Sequence, residues 1–89
     1  MLAPNNPNVM DTLGYVFLKN GKNDEALKLL KRAADLSPEN PSMQYHLALA
    51  YNEQGNKAEA RESLQRALKL GNFPEAKEAS QLLEKLKKA

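Results

Sequence analysis

This 89-residue sequence predicts an all-α fold, an α-solenoid of two helix–turn–helix units closed by a fifth helix. Three observations predict it. The chain matches itself, without gaps, at a constant offset of 34 residues. Each copy carries apolar residues at helical spacing between a capping residue and a glycine. The C-terminal stretch has one apolar stripe and one charged face, as suits a helix that covers the end of a stack. No alternating run suggests a strand.

In the self-match, Asn6-Pro7 aligns with Asn40-Pro41, Leu13 with Leu47, Gly21 with Gly55 and Glu25-Ala26 with Glu59-Ala60. It continues through Leu30 and Leu64, Arg32-Ala33 and Arg66-Ala67, and Leu36 and Leu70. Self-similarity at such a period marks a repeat protein. Leu2-Ala3-Pro4-Asn5-Asn6-Pro7 matches Leu36-Ser37-Pro38-Glu39-Asn40-Pro41, a phrase that ends one unit and opens the next. Residues 1–6 therefore read as the remnant of a preceding unit or a linker, as if the chain were cut from a longer array or designed in its image. Residues 7–40 read as the first unit, 41–73 as the second and 74–89 as a capping helix.

The first helix is expected from Pro7 to about Asn20, with Asn6 before the proline that opens it, Met10, Leu13, Gly14 and Phe17 on one face, and Gly21 as its stop. Asn23 is expected to cap the second helix, with Asp24 and Glu25 near the positive end of the dipole. Ala26, Leu27, Leu30, Ala33 and Leu36 point inward, and Ser37-Pro38 ends the helix because a residue before proline avoids the helical region. The third helix runs from about Pro41 to Gln54, capped by Asn40 and stopped by Gly55, with Leu47, Ala48 and Tyr51 inward. The fourth runs from about Lys57 to Leu70, with Ala60, Leu64, Ala67, Leu68 and Leu70 inward. The fifth runs from about Pro74 to Lys88, with Ala76, Ala79, Leu82, Leu83 and Leu86 on its apolar stripe.

Composition narrows the function. There is no cysteine, so disulfides, cysteine-type zinc sites and a thiol nucleophile are excluded. The net charge is only +2 and acids and bases alternate, so no basic stripe invites nucleic acid. No apolar run approaches the roughly 20 residues of a membrane span. Met1-Leu2-Ala3-Pro4 lacks the basic and apolar regions of a signal peptide, and the compartment is left open.

The residues at the repeated positions resemble the tetratricopeptide repeat, whose pattern is a large residue, Leu-Gly, Tyr, two alanines and a proline. The first unit offers Met10, Leu13-Gly14, Phe17, Ala26, Leu30, Ala33 and Pro38; the second offers Gln44, Leu47-Ala48, Tyr51, Ala60, Leu64 and Ala67. Gln44 departs from the usual apolar residue, which implies looser packing there. Gly71-Asn72-Phe73-Pro74-Glu75-Ala76 and the helix after it resemble the C-terminal ends of bacterial tetratricopeptide proteins, including lipoproteins linked to exosortase and exopolysaccharide systems.

The resemblance implies a right-handed superhelical stack whose first helices line a concave groove for extended peptides or helices. Carried over by position, the groove comprises Asn8, Asp11, Thr12, Tyr15, Leu18 and Lys19, and then Ser42, Tyr45, His46, Leu49, Asn52 and Glu53. A protein or peptide partner is the implied function. The alternative is a structural fragment or engineered scaffold with no ligand of its own, self-associating through Val9, Val16 and Leu27 on the face a preceding unit would cover. Some members clamp the C-terminal carboxylate of heat-shock chaperones with lysine, asparagine and arginine. Asp11, Tyr15 and His46 stand at the matching places here and argue against that use. Ser42, His46 and Glu53 could share a face in the manner of a hydrolytic triad, but the sequence supplies no oxyanion hole, so no enzyme is expected. One histidine among scattered carboxylates does not make a metal site, and no cofactor is expected.

Overall fold

Five helices follow one another in the computed structural model of the protein, which describes residues 6–88: α1 (Pro7–Lys19), α2 (Asn23–Leu36), α3 (Pro41–Glu53), α4 (Lys57–Leu70) and α5 (Ala76–Lys88). The reading of Leu2 through Asn5 as the tail of a preceding unit falls outside the described residues.

The caps follow from side-chain chemistry. The Asn6 side chain accepts from the Asn8 and Val9 amides at 2.9 and 3.3 Å, and Asn40 accepts from the Met43 amide at 3.2 Å. Each helix then opens on a proline, whose missing N–H costs nothing at that position. Both hairpin turns close on a left-handed glycine, Gly21 at φ 77° and Gly55 at φ 79°. The Lys22 amide donates to Phe17 O and the Gly21 amide to Leu18 O; Asn56 and Gly55 repeat this with Tyr51 and Asn52. These are the paired bonds of a Schellman turn. The turn leaves Lys22, not Asn23, as the residue before α2, and Asn23 becomes its first helical residue. It therefore does not cap the helix as the sequence suggested.

Packing joins α1 to α2 and α3 to α4 as antiparallel hairpins, sets α3 against α2, and lays α5 on α4. The result is elongated, 44 × 26 × 18 Å. Ala26, Leu30, Ala34, Leu47 and Ala50 form one buried cluster, and Met10, Ala33 and Met43 form another. Ala48, Ala60, Leu64, Ala79, Leu83 and Leu86 form the third, which seats α5 as expected. The many alanines let helix axes approach closely around two fully buried leucines, Leu30 and Leu64.

Four side chains differ from expectation. Leu13, Leu36 and Leu70 are exposed rather than inward. Leu36 and Leu70 are the last residues of α2 and α4, at the edge of the buried arc. Leu13 matches Leu47, but Leu47 packs in the α2 cluster whereas Leu13 is 37% exposed and joins none of the buried clusters. Gln44 is buried, only 4% exposed, and is tied down by its Nε2 donating to Pro38 O at 3.3 Å. Its Oε1 has no hydrogen-bond partner among the described residues. Helix α5 starts at Ala76, later than expected, because Pro74 and Glu75 form a turn in which the Ala76 amide bonds Phe73 O.

Candidate functional site

The matching faces of α1 and α3 stand side by side and present one wall. Helical spacing selects its residues: Asp11, Tyr15, Leu18 and Lys19 recur on α1 at steps of three or four, as Ser42, Tyr45, His46, Leu49 and Glu53 do on α3.

His46 is the hub. Its Nδ1 lies 2.9 and 3.1 Å from the two carboxylate oxygens of Asp11 on α1, to which it donates. Its Nε2 lies 3.6 Å from Glu75 Oε2, in the turn before α5. The other Glu75 oxygen accepts from the Ser42 hydroxyl at 2.9 Å. One imidazole thus spans α1, α3 and the approach to α5. The Tyr15 and His46 ring centroids are 4.7 Å apart, those of Tyr45 and His46 5.9 Å, and those of Tyr45 and Phe73 6.4 Å. A continuous aromatic strip therefore crosses the wall from α1 to the α4–α5 turn. Tyr45 has its phenol pKa raised above the ordinary 10.0, by burial first and then by Glu78, Tyr15 and Glu75, so it stays protonated.

Toward the C-terminal ends of α1 and α3 the wall sinks into a depression of about 280 Å³ lined by Tyr15, Leu18, Lys19, Leu49 and Glu53. Lys19 Nζ sits over the Tyr15 ring, 5.2 Å from its centroid.

Of the twelve residues expected to form the groove, Asp11, Tyr15, Lys19, Ser42, Tyr45 and His46 are joined by these contacts. Leu18, Leu49 and Glu53 line the depression. Asn8 and Thr12 are exposed beside the strip. Asn52 is partly buried, with its Oδ1 enclosed and unpartnered among the described residues. Ser42, His46 and Glu53 do not assemble as a triad: the serine proton goes to Glu75, the imidazole is hydrogen-bonded to Asp11, and Glu53 lines the depression. Phe73, Glu75 and Glu78 belong to the wall and were not foreseen. They lie outside the repeated pattern, and it is the seating of α5 on α4 that brings the α4–α5 turn to the edge of α3.

Paired helices stacked so that alternate ones share one wall define a helical-repeat protein. The tetratricopeptide repeat profile matches residues 12–77, most of the chain, and the chain belongs to the tetratricopeptide repeat family. That family consists generally of protein–protein interaction modules and is typically non-catalytic. Comparison with curated proteins gives no match. No helix among the described residues is long and apolar enough to cross a membrane.

Proposed function

We propose that the chain binds a peptide segment of a partner protein along the α1–α3 wall, with the α4–α5 turn as its end stop. The aromatic strip carries this reading. Tyr15, Tyr45 and Phe73 are partly exposed rings fixed by their neighbours, and rigid amphipathic aromatics dominate binding energy at interfaces. Asp11, Glu53, Glu75 and Glu78 flank the strip and Lys19 is the one lysine among them, so an apolar segment with a basic residue fits better than an acidic tail. A wall only two helices wide buries little area, and affinity on the order of micromolar or weaker follows. Chemical-shift mapping against a peptide library tests the reading. Shifts are expected at Tyr15, Tyr45 and His46. Shifts confined to α2 and α4 would contradict it.

A second reading, a scaffold that associates with its own copies, has its own observation. Val9, Leu13 and Val16 form an exposed apolar stripe on α1, and contiguous exposed apolar surface favours association. Leu27, expected beside them, is half-buried and packs against the first core cluster, so the stripe is Val9, Leu13 and Val16. Sedimentation that shows concentration-dependent dimers, abolished by Val16→Lys, would support this reading. A monomer at millimolar concentration would refute it.

A further inference from the structure

We propose that the depression at Tyr15 is a pocket for one cationic side chain, a lysine or arginine of the bound segment, and that Lys19 holds the ring face this side chain takes. The inference rests on the groove reading and adds a specificity to it.

The first argument is size and lining. About 280 Å³ is below the roughly 300–1,000 Å³ of small-molecule sites and suits a single long side chain. Tyr15 and Leu49 are separated by the repeat offset of 34, and so are Lys19 and Glu53. Equivalent positions of neighbouring helices therefore face the same hollow. Tyr15, Leu49 and Leu18 supply an apolar floor for methylene groups. Lys19 and Glu53 supply one base and one acid at the rim.

The second argument is that a cation already occupies the ring. Lys19 Nζ at 5.2 Å lies within the roughly 6 Å reach of a cation–π contact. Lys19 is exposed and sits one turn from Tyr15 on the same helix, so it can swing into solvent without disturbing the fold. Glu53 is exposed and forms no ion pair among the described residues, Lys19 included. An incoming guanidinium or ammonium gains both the ring face and Glu53. An incoming carboxylate meets Glu53 and the acidic wall of Asp11 and Glu75.

The test uses the full chain and four acetylated, amidated peptides of sequence Gly-Leu-X-Leu-Gly, with X arginine, lysine, norleucine or glutamate, titrated by calorimetry with amide shifts recorded in parallel. Arginine and lysine should bind more tightly than norleucine, and glutamate least. Lys19→Met should tighten the arginine peptide by about two- to five-fold, the range of an exposed cation–π contact, and leave norleucine unchanged. Tyr15→Leu and Glu53→Gln should each erase part of the arginine preference while the helical circular dichroism is retained. Equal binding of arginine and norleucine, with shifts on α1 and α3, would overturn the cation pocket and leave the groove reading standing. Weaker arginine binding by Lys19→Met would also overturn it. No binding by any of the four would overturn both.

Discussion

Helices α1 and α3 open on the same asparagine–proline pair and close on the same glycine turn, yet they differ in what they show to solvent. Val9, Leu13 and Val16 on α1 are 37, 37 and 47% exposed, whereas Met43, Leu47 and Ala50 at the equivalent places on α3 are 2, 5 and 0% exposed. The helices themselves do not cause this. Helix α2 lies against the α3 stripe, through Ala26, Leu30, Ala33 and Ala34, whereas the α1 stripe joins none of the buried clusters. A repeat helix therefore gains its stability from its neighbour, and the same sequence phrase is core in one setting and surface in the other.

The harshest way to break the comparison is to strip α4 of its cover and so make it resemble α1. Removing residues from Pro74 onward takes away Leu83 and Leu86, each worth roughly 1.5–3 kcal/mol when buried, and bares Leu64. At about 4–8 °C per kcal/mol for a domain this small, the melting temperature should fall by some 12 °C or more, or folding should be lost. An unchanged melt would show α5 to be a loose tail.

Paired truncations probe the same point more finely. Leu47→Ala should cost about 2–5 kcal/mol by denaturant unfolding, as for a core leucine. Leu13→Ala, its repeat equivalent, should cost about 0.5 kcal/mol, as for a surface change. Equal costs would mean that α1 is covered by something else.

The next pair concerns one methyl group. Gly14 packs against Leu30: a Cβ there would lie 2.8 Å from Leu30 Cγ and Cδ2 and 3.2 Å from Leu29 Cβ. The second hairpin has Ala48 at the equivalent place, fully buried in the Leu64 cluster. Ala48→Gly should destabilise by about 1–2 kcal/mol, from helix propensity and the lost methyl. Gly14→Ala should destabilise by about 1 kcal/mol, because overpacking outweighs the propensity gained. A stabilised Gly14→Ala protein would show that the first hairpin has slack.

How much of this was legible depends on what each signal measures. Caps and glycine turns are local chemistry, so α4 was predicted to the residue and α1 and α3 to within one. Periodicity reports which residues share a face but not whether a neighbour covers it, which is why Leu13 was misread while Leu47 was read correctly. Asn23 was misread because the glycine turn, not a capping side chain, leads into α2. The repeat offset placed matching positions of α1 and α3 on one wall. Phe73, Glu75 and Glu78 lie outside the repeated pattern, and their place depends on how α5 seats on α4.

The smallest expected effect concerns Tyr45, which has no aromatic counterpart in the first repeat, where Asp11 stands. Its raised pKa means that burial and nearby carboxylates oppose the phenolate in the folded state. Stability should therefore be undiminished by this group below pH 10 and decline as pH rises through its folded pKa. Tyr45→Phe should lessen that alkaline loss, as followed by thermal melts across the range.

The most direct measurement of where a partner binds uses the basic host peptide carrying a nitroxide spin label, with paramagnetic broadening read at every amide. The account predicts broadening along the α1–α3 wall, at Tyr15, Tyr45, His46 and Leu49, with Val9, Leu13 and Val16 sharp. Broadening centred on the α1 stripe, with the aromatic strip untouched, would contradict it.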